Sequence, residues 1–178
     1  MRRSAFVKLI GISEEIFNVV RTRKLLPLRG RDVGKGWQDF SVDDALAFEA
    51  ASALARLGIT KAEARDVVDT YFQVALERAA ETATGEPVYL GLAKTIVLVG
   101  GKHVSPDQFP LVGSSIDLAE EVNRLAIAMG DSGWIDGTIA ANLNLCMATI
   151  YGRAEKAGVN DGRLEELAVL FALRLREV

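Results

Sequence analysis

The sequence predicts an α+β protein in which the helices come first and the strands enter only in the second half. In the first eighty residues, apolar side chains recur at helical spacing between Ser, Thr and Gly signals for helix ends. Beyond them, β-branched residues and leucines cluster between glycines at 88–92 and 95–99, which is typical of strands. We therefore predict one domain at 1–80 and a small α+β domain at 87–178, separated by the polar stretch 81–86.

The charge of this 178-residue chain is unevenly distributed. The net charge is −3, yet residues 1–36 hold nine Lys or Arg against three acids, a net of +6, which leaves −9 for the rest. A basic head on an acidic body indicates that the head contacts a polyanion. The sequence has no secretory leader pattern and no apolar run of transmembrane length, so we expect a cytoplasmic protein without membrane contact.

The sequence contains too few cysteines and histidines to form a zinc site. Cys146 and His103 are single residues of their kinds, so neither an internal disulfide nor a Cys/His zinc site can form. Catalysis has no support either, because neither a Walker motif nor a dinucleotide-binding glycine pattern occurs. Gly100-Gly101-Lys102 is interpreted as a turn. We expect no cofactor and no enzymatic activity.

Two short helices are predicted at the start of the chain. Residues 4–10 form the first, which Gly11 ends in the left-handed conformation, and Ser13 caps the second ahead of acids at 14–15. We expect Pro27 to end this second helix, with one apolar stripe formed by Ile12, Ile16, Phe17 and Val20. Two short helices joined by a glycine turn form a helix-turn-helix unit. The basic, glycine-punctuated stretch 29–40 that follows is typical of a wing.

Two longer helices follow the predicted wing. Ser41 caps the first, Gly58 ends it, and its buried side comprises Leu46, Ala50, Leu54 and Leu57. Thr60 starts the second with a capping box completed by Glu63.

The second half is predicted with strands at 88–92 and 95–99, an irregular connection at 100–113, a helix capped by Ser115, a turn at 133–137, and two closing helices. Residues 139–151 allow two interpretations, a second helix-turn-helix or a strand at 138–143 followed by a helix from about 145.

Five landmarks in order identify a family resemblance. They are Gly11-Ile12-Ser13, Leu25-Leu26-Pro27, Gly36-Trp37-Gln38-Asp39-Phe40, the Ser-x-x-Asp start at 41–44, and the Leu-Gly-Ile-Thr-Lys-Ala-Glu run at 57–63. With them, residues 5–72, about 40% of the chain, resemble the DNA-binding domain of MerR-family regulators. The resemblance implies a winged helix-turn-helix that binds double-stranded DNA as a two-fold dimer, with the recognition helix 13–23 in the major groove and the wing 29–40 on the backbone.

The resemblance also implies which residues contact DNA. On the recognition helix they are Ser13, Glu15, Asn18, Arg21 and Thr22, and on the wing Arg29, Arg31, Lys35 and Gln38. The Arg-Tyr pair usual in the family falls on Asn18 and Val19, and the usual wing arginine falls on Gln38. Three positions that usually contact DNA in the family therefore lack their usual side chains. Glu14 and Glu15 would repel phosphates, although a glutamate can accept from cytosine N4 and an asparagine can pair with adenine.

The sequence thus predicts a non-enzymatic, homodimeric transcriptional regulator. Its second domain is expected to serve dimerisation, a ligand or a protein partner. Two alternatives stay open: an excisionase-like architectural DNA-binding factor, and a protein-interaction adaptor that kept the winged fold without DNA affinity.

Overall fold

The structure, a computed structural model, describes residues 1–27, 39–82, 86–99, 102–104 and 108–171. These residues form an α+β fold, which confirms the predicted class. The helices are α1 (Arg3–Ile10), α2 (Glu14–Thr22), α3 (Val42–Arg56), α4 (Lys61–Glu81), α5 (Ser115–Met129), α6 (Leu143–Ala157) and α7 (Gly162–Leu170). The strands are β1 (Tyr89–Val99), β2 (Lys102–Val104), β3 (Gln108–Gly113) and β4 (Gly133–Asn142).

Helix ends in the first half follow the predicted capping chemistry. Gly11 ends α1 at φ 67°, and the Ser13 hydroxyl accepts from the Ile16 amide at 3.3 Å to start α2. Ser41 and Thr60 each open a helix with a complete capping box. These short-range contacts fix where four helices begin or end.

The end of α2 differs from its prediction. Lys24 adopts φ 54°, its amide donates to the Arg21 carbonyl at 3.0 Å, and the Leu25 amide donates to the Val20 carbonyl at 2.9 Å. This is the Schellman arrangement, which terminates a helix by satisfying its last carbonyls. The helix is therefore over at Thr22, and the prediction that Pro27 ends it was wrong.

The sheet is antiparallel and has β1 at its centre. β4 lines one edge of β1, and β3 and β2 follow one another along the opposite edge. The strands predicted at 88–92 and 95–99 are one continuous strand, and the predicted irregular connection contains β2 and β3. The turn expected at 133–137 belongs to β4, where the register shift between Lys94 and Thr95 leaves Asp136 as a bulge.

Residues 139–151 form a strand followed by a helix. Ile139 to Asn142 pair with Leu92 to Tyr89 of β1, and Asn142 caps α6 directly by accepting from the Leu145 amide at 3.1 Å. The interpretation as a second helix-turn-helix is therefore wrong. Asn144 closes the junction, accepting from the Val88 amide and donating to the Phe171 carbonyl, both at 2.9 Å.

One large hydrophobic cluster joins side chains from both predicted domains. Phe6 and Leu9 of α1, Leu46 of α3, Leu90 of β1 and Met147 of α6 all belong to it and are fully buried. A smaller cluster around Leu125 holds α5 on the other face of the sheet. Leu57, expected on the buried side of α3, is more than half exposed just beyond the end of that helix. The two-domain division stays a prediction.

Among the described helices, none combines the length and the apolar character needed to cross a membrane.

Candidate nucleic-acid interface

Helix α2 is attached to the protein through very little of its surface. Of its nine residues only Phe17 is buried. The Phe17 ring packs edge-on against Phe6 and Phe40, with centroids 6.1 and 5.7 Å away, while Phe6 and Phe40 stack on each other at 4.2 Å. Most of the helix surface therefore faces solvent, as a helix that enters a DNA groove requires.

The five predicted contact residues of the recognition helix are all exposed. They are Ser13, Glu15, Asn18, Arg21 and Thr22. The four predicted wing residues, Arg29, Arg31, Lys35 and Gln38, lie outside the described residues. Both flanks of that stretch are described, and Leu26 and Phe40 are buried in the large cluster. The chain thus enters and leaves the predicted wing from fixed points beside α2.

The acidic start of α2 is partly compensated within the protein. Arg3 donates to Glu14 at 2.5 Å and to the Asn18 amide oxygen at 2.8 Å, and its guanidinium lies 4.7 Å from the Phe17 ring centroid. A hydrogen bond with Ser13, and then one with its own backbone amide, lower the pKa of Glu15. Ser13 and Glu15 thus contact each other, and Asn18 is oriented by Arg3.

The end of α2 is held by α4. Arg65 donates through Nη1 to the Lys24 carbonyl at 2.6 Å, and it also pairs with Asp66 and, at 3.9 Å, with Asp69. Because the acids hold the guanidinium, the backbone at Lys24, two residues beyond α2, is fixed in direction. This contact spans 41 positions in the sequence and has no local sequence signal.

Two exposed apolar side chains on α2 were not anticipated. Ile16, predicted in the apolar stripe, is 52% exposed, and Val19 is 49% exposed. Ile12 and Val20, from the same predicted stripe, are only partly buried. Ile12, Ile16 and Val20 thus line one groove together, and of the predicted stripe only Phe17 is buried.

A charged cluster lies beneath α2 and was also missed. Glu49 is 3% exposed and accepts from Arg153 at 2.7 Å and from Arg56 at 3.0 Å. Arg153 comes from α6, and the same Nη1 atom contacts the Leu9 carbonyl at 3.3 Å, just before the turn. The pairing links the helix-turn-helix to the second half of the chain.

Two further kinds of site would be a metal site and a reactive cysteine. In the part of the chain that the structure describes, no three His, Cys, Asp or Glu side chains are grouped as a metal site would require. Burial is the main factor that raises the pKa of the Cys146 thiol to about 12, so this cysteine is not a thiolate near neutral pH. The chain gives no match to family models, to curated proteins or to solved structures.

Proposed function

We propose that this protein is a cytoplasmic DNA-binding transcriptional regulator of the MerR-like type. In this proposal α2 enters the major groove of double-stranded DNA and the basic residues of the predicted wing hold the backbone. A homodimer would place two such helices on successive half-sites.

The exposure of α2 carries the proposal. A helix anchored by one phenylalanine and leaving Asn18, Arg21 and Thr22 in solvent can be inserted into a groove without unfolding its support. Amide and guanidinium groups of this kind are the usual partners of adenine and guanine edges.

The charge distribution gives a second line of support. Arg29, Arg31 and Lys35 come shortly after α2 in the sequence, in a stretch whose flanking residues Leu26 and Phe40 are buried. Lys and Arg contacts to phosphates supply most of the salt-dependent affinity for DNA. The Arg3 contact with Glu14 reduces the repulsion that an acid at the start of α2 would otherwise cause.

Binding across a salt series tests the proposal. Fluorescence anisotropy with labelled duplexes, both random-sequence and genomic, would be measured for wild type and for Arg29→Ala/Arg31→Ala. We expect affinity to fall steeply with salt, and the double variant to flatten the slope of log K against log salt by about two.

The matched control is Arg78→Ala/Arg124→Ala, which removes two exposed arginines that each pair with a glutamate on their own helices. It should keep the wild-type slope. If wild type fails to bind any duplex at about 50 mM salt, the proposal is wrong. Bending of DNA without an effect on promoter activity would instead favour the excisionase-like architectural factor.

One observation favours the adaptor as a second candidate. Ile16 and Val19 place two half-exposed apolar side chains on α2, and such residues serve protein contacts better than phosphate contacts. A protein that binds no DNA, but loses a partner on Val19→Ser, would fit this candidate.

A further inference from the structure

A groove of about 410 Å³ lies between the helix-turn-helix and α3. Its apolar side is formed by Ile12, Ile16, Val20, Leu25 and Phe48. Its volume lies in the range of small-molecule sites, about 300–1,000 Å³. The half-exposure of Ile16 is explained by its place on the wall of this groove.

The polar side of the groove carries an excess of positive charge. Among the residues that the structure describes, Arg56, Lys61 and Arg153 line it together with one carboxylate, that of Glu49. Glu49 is already engaged by both arginines, at 3.0 and 2.7 Å. Each guanidinium has five N–H donors in a planar fork, and the described contacts of Arg56 and Arg153 use one nitrogen of each.

A second depression of about 320 Å³ on the other side of Arg56 provides an internal comparison. It is lined by Glu49 and Arg56 without Lys61 or Arg153, so its ionised side chains cancel. An anion is therefore attracted to the first groove, where three described cations face one described carboxylate.

We propose that the groove binds a small organic carboxylate with an apolar body. The apolar body lies against Ile16, Val20 and Phe48. The carboxylate accepts from Arg56 and Lys61 at the polar end, because charge-assisted hydrogen bonds to a carboxylate match the fork of a guanidinium. The pair of buried Glu49 with partly buried Arg153 serves as the fixed floor of the site.

Calorimetric titration with decanoate, in the absence of DNA and below its micellar concentration, tests the site. The wild-type protein is expected to bind one decanoate, and decylamine, which carries the opposite charge on the same chain, is expected not to bind. Arg56→Gln and Lys61→Gln should each weaken decanoate binding about tenfold.

Two pairs of matched variants distinguish binding in the groove from nonspecific binding of decanoate. Ile16→Ser should weaken decanoate binding, whereas Val19→Ser, which removes an equally exposed side chain of the same helix outside the groove, should not. Arg78→Gln, an exposed arginine paired with Glu81, controls for Arg56→Gln. Equal binding of decanoate and decylamine, equal losses in the two serine variants, or no binding of decanoate would each overturn the site.

The groove wall includes residues of α2, so an occupant fixes this helix relative to α3. This extension rests on the proposed function: decanoate should then change the DNA affinity measured by anisotropy. Unchanged DNA affinity with decanoate bound would overturn the coupling. Decanoate binding by a protein that binds no DNA would leave the site intact and refute the proposed function, and the reverse result would refute the site alone.

Discussion

Arg65 of α4 donates a hydrogen bond to the backbone carbonyl of Lys24, the left-handed residue that terminates α2. The two groups are 2.6 Å apart although 41 positions separate them in the sequence. The direction that the chain takes at the end of α2 is therefore set by α4 rather than by the residues that follow the turn.

Replacing Arg65 tests this control of α2. Arg65→Met keeps an apolar stem and removes the donor to Lys24, so the backbone amides at 19–26 should exchange hydrogen faster. Global stability should fall by only about 1 kcal/mol, because the contact is exposed. Hydrogen exchange by mass spectrometry measures the first effect and urea unfolding the second. Arg78→Met, which removes a donor to Glu81, is the control, and unchanged exchange at 19–26 in Arg65→Met would contradict the prediction.

Gly11→Ala should destabilise the protein more than Gly158→Ala. Both glycines end a helix in the same left-handed conformation, at φ 67° and 64°. That conformation costs an alanine about 1–2 kcal/mol. At Gly11 the new Cβ would also lie 2.7 Å from Arg153 Nε, whereas at Gly158 it meets no atom within 4 Å. Urea unfolding of both variants measures the difference, and equal losses would show that Arg153 moves aside without cost.

Glu49→Gln should cost about 1–3 kcal/mol, because it leaves two arginines without their shared carboxylate in a partly buried place. Glu81→Gln is the matched control: it removes a carboxylate at the same 3.0 Å distance from an arginine, but in solvent, and should cost about 0–1 kcal/mol. Thermal and urea unfolding measure both. An equal loss of unfolding free energy in the two variants would refute the structural role assigned to Glu49.

At low pH, Glu63 should no longer stabilise the fold more than a glutamine at the same position would. Hydrogen bonds from the Thr60 side chain and backbone, and from Gln108, lower the pKa of Glu63 to about 2. Since the folded pKa is depressed, the ionised group stabilises the fold above the unfolded value of about 4.3, and this contribution is lost as the pH falls towards 2. The unfolding free energies of wild type and Glu63→Gln should therefore converge between pH 5 and 2.5. A constant gap across this range would contradict the assigned pKa.

Contacts between residues close in the sequence could be predicted, whereas contacts between distant residues could not. The caps at Gly11, Ser13, Ser41 and Thr60 depend on residues three or four positions away, so the sequence indicates them directly. The termination of α2 at Lys24 was missed because a lysine in the left-handed conformation carries no signal of its own.

The candidate site was only partly predictable for the same reason. Exposure of Asn18, Arg21 and Thr22 follows from helical spacing, but the pairing of Glu49 with Arg153 depends on how α6 meets α3 across 104 positions. β2 and β3 were missed because a strand of three residues and one containing Pro110 lack the usual strand composition.

The contact of Arg153 with the Leu9 carbonyl has a consequence for synthesis on the ribosome. The two residues lie 144 positions apart, a length that takes roughly 7 to 30 seconds to translate at about 5–20 residues per second. During that interval α1 has been synthesised, while α6, which covers part of it, has not. Until α6 is made, the nascent chain therefore exposes apolar surface around Leu9. A chaperone that shields apolar segments of nascent chains would find its substrate there.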